Sequence, residues 1–421
     1  MKKISILLFL LLIGLPGLLS AQTDVFSTLP DPLILNDGTR VGSKEQWHNQ
    51  RRKELLEIFS REMYGQSPAR PGNMRFDVCD DDPVALEGKA TRRQVRISIV
   101  RLGKEMSMDV LMYIPNRLKG KPVPAIVALN FWGNHAIHTD PGIQLSGSWM
   151  EERTGFANLS CVQKNRATEA CRGINAAQWP VEKMIDRGYA LVTVYREDIA
   201  SDVPATQFTT GIHPLYPEWQ EREDNFGTIA AWAWGLSRVV DYLETDQDID
   251  IKRIALFGWS RLGKAALWAG ANDIRFSLVI SNQSGAGGAK VFRRNTGEKI
   301  RRLCTVFPHW YSRSFRKYMD KDDILPFDQH MVISLIAPRP VYIGSAEDDE
   351  LADPEGEFMG ALATDPVYKF LGIEGLPVKI MPSLNQSVQG QIGYHIRTGK
   401  HDVTGYDWDQ YLDFMDKHFK P

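Results

Sequence analysis

The chain has 421 residues, with 50 Lys and Arg set against 52 Asp and Glu, for a formal net charge of -2. That balance gives no electrostatic reason to expect a nucleic-acid partner or an anionic membrane. The length exceeds the usual single domain, but α/β enzymes often run this long as one unit, and no linker, repeat or low-complexity stretch divides the sequence.

Residues 1–21 begin with two lysines, continue through a Leu/Ile-rich run and end in Leu-Ser-Ala before Gln22. Charge, length and small-residue end are those of a cleavable secretory signal. No cysteine follows the cut, so lipid anchoring is unsupported, and the apolar run is short of a full membrane span. The expected organisation is a signal peptide at 1–21 and one domain at 22–421. The mature protein is expected to be secreted or periplasmic, soluble, and a monomer.

Residues 43–63 predict an amphipathic helix. Ser43 and Gln46 make a capping box, and Trp47, Leu55, Ile58, Phe59 and Met63 share a face. Residues 93–100 and 108–114 alternate as strands, with Gly103 and Lys104 in the turn between them. Continuous apolar runs at 125–131 and 190–195 fit central parallel strands. The four cysteines are Cys79, Cys161, Cys171 and Cys304. They allow three complete pairings, of which Cys161 with Cys171, close together in one polar loop, is the expected one; four reduced, buried thiols are an equal alternative. None sits at metal-ligand spacing with histidines, so a zinc site is unsupported.

Residues 226–244 predict a helix, with Ile229, Trp232, Leu236, Val239, Val240 and Leu243 at helical spacing. Residues 253–270 then organise the chain. The apolar run from Ile254 to Phe257 reads as a buried strand, and Ala265 to Ala269 favours helix. Between them Gly258, Ser260 and Gly263 allow a tight strand-to-helix turn with a serine at its apex. An α/β-hydrolase holds its nucleophile this way, with the helix-start N–H groups facing the oxyanion. The second glycine of Gly-x-Ser-x-Gly arrives one residue late. Further strands are expected at 277–281, 341–345 and 378–381, and a last helix at 408–419 with Asp407 at its start. Strands alternating with helices imply a mostly parallel sheet covered on both faces, a three-layer sandwich whose site gathers at the carboxyl ends of the strands.

A serine needs a base, and the base an orienting acid, in the chain order Ser, acid, His. His401 sits in a polar loop just before the last helix, where such a fold places its base. His395 is the alternative. His418, inside the helix, suits packing.

Beyond the elbow, Asn130-Phe131-Trp132-Gly133-Asn134-His135, Ser281-Asn282-Gln283-Ser284-Gly285, Phe307-Pro308-His309-Trp310, Ile336-Ala337-Pro338-Arg339-Pro340 and residues 393–404 resemble bacterial glucuronoyl esterases, carbohydrate esterase family fifteen of the α/β-hydrolase superfamily. The likeness runs from about Trp47 to the end, and the Gly-x-Ser-Arg-x-Gly-Lys elbow and the Tyr-His-Ile-Arg-Thr-Gly-Lys-His-Asp block are its specific signals. It implies a metal-independent enzyme, without cofactor, that cleaves esters between glucuronate branches of xylan and lignin alcohols. Carried over, Ser260 is the nucleophile, His401 the base and Arg261 the oxyanion residue, through its backbone N–H and its guanidinium. Lys264, one helical turn beyond Ser260, and Glu298 meet the sugar hydroxyls.

Two positions depart from the family. The usual acid is a glutamate where this chain has Gln283. Some bacterial members place it after the next strand, in the loop Glu347-Asp348-Asp349-Glu350, where Asp349 matches. Leu351 stands where many members carry a tryptophan against the sugar. Another carbohydrate ester such as acetyl-xylan is the alternative substrate. A catalytically impaired carbohydrate-binding relative is the alternative class, suggested by Gln283 and Leu351.

Overall fold

A computed structural model describes residues 25–152 and 160–420. The expected signal peptide lies outside the described residues.

One ten-stranded sheet runs through the molecule in the order β1-β2-β3-β5-β4-β6-β7-β8-β10-β9. Its strands are β1 (Met74–Ala85), β2 (Ala90–Arg101), β3 (Lys104–Pro115), β4 (Val123–Asn130), β5 (Ala190–Tyr195), β6 (Ile249–Trp259), β7 (Leu278–Asn282), β8 (Val341–Ala346), β9 (Gln386–Gln389) and β10 (Ile392–Arg397). The central strands β5, β4, β6, β7, β8 and β10 are parallel, and the pairings at both edges are antiparallel. β4, β5 and β7 are buried along their whole length, as continuous apolar strands in a doubly covered sheet must be.

Four helices matter for the site: α1 (Thr228–Leu243), α2 (Arg261–Asn272), α3 (Pro354–Phe370) and α4 (Gly405–Phe419). On one face Trp232, Leu236, Leu262 and Trp268 pack with Val127, Leu256 and Val279. On the other, Trp408, Tyr411 and Phe414 pack with Ile126, Phe257 and Ile280. The expected three-layer α/β sandwich is present.

The local differences have physical causes. β1 escapes a hydrophobic-pattern reading because it is an acidic edge strand. Its Asp80, Asp81 and Asp82 pair with Arg92 and Arg93 of β2 rather than burying apolar side chains. The β2–β3 turn is Leu102–Gly103, not Gly103–Lys104. Lys104 already pairs with Arg101, and both turn residues have positive φ (53° and 73°), as a tight hairpin requires. The strand expected at 378–381 does not form. Pro377 and Pro382 bracket the run and cannot donate to a ladder, and Ile380 is 81% exposed. The last strand is instead β10, so His395 lies within it rather than after it. Helix α4 starts earlier than expected: Thr404 is its N-cap, and Asp407 closes the capping box from the third position. Near the N-terminus Ser43 accepts from the Gln46 N–H, but Gln46 Oε1 reaches back to the Gly42 N–H instead of completing the box on Ser43. Cys161 and Cys171 form the expected disulfide.

Candidate active site

Ser260 sits between β6 and α2 with φ 56° and ψ -131°, a conformation that costs a non-glycine residue strain. Its N–H donates to Asn282 O (2.9 Å), tying the apex to the end of β7. The glycines make this turn possible by close approach. A Cβ on Gly258 would lie 2.2 Å from Leu262 O, and one on Gly263 would lie 2.9 Å from Ser284 Cβ and 3.0 Å from Ser281 Oγ. The late second glycine is therefore set by the exit of β7 against the first turn of α2. That turn leaves backbone N–H groups without intrahelical acceptors beside the serine.

His401 follows β10 in the loop before α4. Its ring packs on that of Trp259, the residue before the serine, with centroids 5.5 Å apart. Its Nδ1 lies 2.5 Å from Asp349 Oδ2, with the His401 side chain 29% and that of Asp349 6% exposed. A carboxylate only accepts, so Nδ1 carries the proton and Nε2 is left as the basic nitrogen. In the same loop Glu347, Asp348 and Glu350 are exposed, and of the four acids only Asp349 is buried. Gln283 does not reach the ring. Its amide clamps the next residue, Nε2 donating to Asp402 O (2.9 Å) and Oε1 accepting from Asp402 N (3.0 Å). Asn282 Nδ2 and Arg397 also donate to Asp402 O, so the histidine loop is held from β7 and β10 together. The alternative base, His395, is fully buried in β10. It is bonded to Asp407 and Tyr342, and burial lowers its pKa. It serves the capping of α4, not the site.

Arg261 places its guanidinium on Asp202 (2.6 Å) and over the Trp310 ring (4.9 Å), with its side chain 21% exposed. Asp202 also accepts from Arg196, His309 Nε2 (3.0 Å) and Trp310 Nε1 (2.7 Å). Burial alone would raise the Asp202 carboxyl, but the Arg196 and Arg261 charges outweigh it and hold it well below the usual carboxylate range. The guanidinium is thus fixed in place before any ligand arrives. Sequence reasoning missed Asp202 because no short-range pattern links it to an arginine 59 residues away.

Lys264 and Glu298, both expected to meet the sugar hydroxyls, lie against each other, with Nζ 3.4 Å from Glu298 Oε2. Nζ also donates to Ser284 O (2.8 Å) and Ala286 O, so its donors already have partners. Desolvation lowers the Lys264 pKa, opposed by Glu298. Glu298 in turn pairs with the Arg302 Nε (3.3 Å). Leu351, 56% exposed, accepts from the Glu298 N–H through its carbonyl (2.9 Å). Beneath the site Glu357 accepts from Gly285 N (2.9 Å) and Ser345 Oγ (2.7 Å), and burial pushes its carboxyl up to about 8. Among the described residues no helix is long and apolar enough to cross a membrane.

Residues 157–372 match a family model described as glucuronyl esterase of fungi. Carbohydrate esterase MZ0003, from an unknown prokaryotic organism, is 47% identical over 394 residues, covering 93% of this chain and 89% of its own length. The 4-O-methyl-glucuronoyl methylesterase of Hypocrea jecorina is 32% identical over 370 residues, covering 86% of this chain and 65% of the relative. Among solved structures, a glucuronoyl esterase from Solibacter usitatus is 44% identical with TM-score 0.87 over 93% of this chain and 98% of its own. A promiscuous esterase of carbohydrate esterase family fifteen from a marine bacterial metagenome is 46% identical with TM-score 0.85 over 93% and 97%.

Proposed function

Since the chain belongs to the glucuronoyl esterases of carbohydrate esterase family fifteen, we propose that Ser260, His401 and Asp349 are its catalytic triad. The substrate is an ester of 4-O-methyl-glucuronate, cleaved through an acyl-enzyme on Ser260. The single observation carrying this reading is the 2.5 Å contact of the buried Asp349 with His401, in a loop that packs on the residue before Ser260.

The steps follow from the residues. His401 Nε2 removes the Ser260 proton as Oγ attacks the ester carbonyl, and Asp349 stabilises the imidazolium that forms. The oxyanion develops beside the first turn of α2 and is stabilised by the Arg261 N–H and by its guanidinium, which Asp202 holds. Collapse of the tetrahedral intermediate expels the alcohol, which takes the proton from His401. Water, activated by the same base, then releases free glucuronate and restores Ser260. Glu298, with Lys264 and Arg302 holding its charge, meets the sugar hydroxyls.

The natural substrate in this reading is a glucuronate branch of xylan esterified to a lignin alcohol. The enzyme works as a monomer, exported after loss of residues 1–21. The test is hydrolysis of benzyl glucuronate against acetyl-xylan at matched concentrations. The benzyl ester is expected to be turned over faster. Preference for acetyl-xylan would overturn the substrate, and failure of a fluorophosphonate to label Ser260 would overturn catalysis altogether.

A further inference from the structure

Two loops meet behind the site, one carrying Asp349 and the other Glu298, and a single side chain fastens them. Asp353 is buried, with φ 57° and ψ 78°, a left-handed conformation uncommon for any residue but glycine. Its N–H donates to Asp349 O (3.1 Å). Its carboxylate caps α3 through Gly356 N (3.2 Å), yet most of its bonds go elsewhere. Arg294 Nε donates to both oxygens (2.9 Å each) and Thr296 Oγ1 to Oδ2 (2.6 Å). Between these partners and Glu298 lies Gly297, with φ 65°, where a Cβ would sit 2.8 Å from Leu351 O and 2.9 Å from Asp353 Cβ. The Glu298 N–H then donates to Leu351 O.

A helix cap alone needs one acceptor. Here a buried carboxylate in a strained backbone spends its remaining capacity on the segment just before Glu298, and that segment packs so closely that Gly297 has no space for a side chain. We propose that Asp353 is a positioning residue for sugar selectivity, locking the Glu298 loop against the loop of the catalytic acid. It acts through Thr296 and Arg294 and touches no substrate. The inference rests on Glu298 being the acid that meets the sugar.

The test compares kcat/KM for benzyl glucuronate with that for p-nitrophenyl acetate, which brings no sugar. Asp353→Asn keeps a capping oxygen but loses the charge that Arg294 pairs with. The ratio of the two values is expected to fall about tenfold, carried by KM of the glucuronate ester, as loss of a hydrogen bond to a charged group implies. Thr296→Val removes only the loop bond and spares the cap, so it carries the test even where the aspartate variant folds poorly. It should shift the ratio the same way, with Thr296→Ser restoring it. In the double variant Asp353→Asn/Glu298→Gln the ratio should fall no further than in Glu298→Gln alone. Equal losses on both esters in these variants would make Asp353 merely structural and overturn the inference. If Glu298→Gln lowers the ratio while Asp353→Asn and Thr296→Val do not, the inference alone fails. If Glu298→Gln itself spares the ratio, the sugar-contact reading fails and takes the inference with it.

Discussion

Replacing Asp349 by Asn is the sharpest test of the triad, because it keeps the shape of the side chain and removes only its charge. In the native site the carboxylate lies 2.5 Å from Nδ1 and is nearly buried. When His401 becomes an imidazolium, the two charge centres attract by roughly 4 kcal/mol at an effective dielectric of 20 and a separation of about 4 Å. Loss of that term alone is about a thousandfold in rate. An amide can also present its N–H to Nδ1, which stabilises the tautomer with the proton on Nε2, where it cannot accept from serine. The fall in kcat should therefore lie between about 10³ and the 10⁴ seen for the equivalent change in serine proteases. The bond from Ala352 N to Oδ1 (3.3 Å) survives the substitution, so the melting temperature should hold. The assay is kcat on benzyl glucuronate, alongside thermal melting of the variant. Gln283→Leu is the control. It breaks the clamp on Asp402, but Asn282 and Arg397 still hold that carbonyl, so the loss in kcat should be far milder. A near-wild-type kcat for Asp349→Asn would refute the reasoning and turn attention to Asp348 or Glu347, exposed though they are.

Arg261→Ala should lower kcat by about 10²–10³, the typical effect of losing one oxyanion donor, and change KM less. Asp202 keeps Arg196, His309 and Trp310, so the variant should fold, and a pure KM effect would move Arg261 from the oxyanion to ground-state binding. Glu357, pushed by burial from 4.5 up to about 8, is favoured as the neutral acid in the folded chain. The stability this contributes is fully present below about pH 4.5 and is lost as pH rises through 8, at up to about 1.4 kcal/mol per pH unit. Glu357→Gln, neutral throughout, should flatten that part of the urea-midpoint profile between pH 5 and 8; an unchanged slope would show that Glu357 is ionised in the native state.

What the sequence determined by itself was local or ordered along the chain. The elbow is legible because its geometry depends on residues within one turn: a strand run, a serine, and glycines where the backbone doubles back. His401 is legible as the proposed base because the fold fixes the order of nucleophile, acid and base, whereas Asp349 stood out among four adjacent acids only through the resemblance to family fifteen. The short polar loop singled out Cys161 with Cys171 among the pairings, and the structure decided for the disulfide over reduced thiols. Tertiary structure decided what depends on neighbours distant in sequence. The acidic β1 carries no apolar pattern to mark it as a strand, and Arg92 and Arg93 neutralise it across the edge. The run at 378–381 is as apolar as a strand, yet flanking prolines deny it a ladder and β10 takes the place beside β8. Gln283 stands where the family's usual acid would be, and its contacts with Asp402 make it a clamp on the histidine loop. Asp202 gathers arginines, a histidine and a tryptophan from separate segments into one buried charge cluster. The physical reason is common to these cases. Backbone geometry and strand order are written in short-range pattern, whereas a buried polar side chain is decided by which partners the packed chain brings within hydrogen-bond reach.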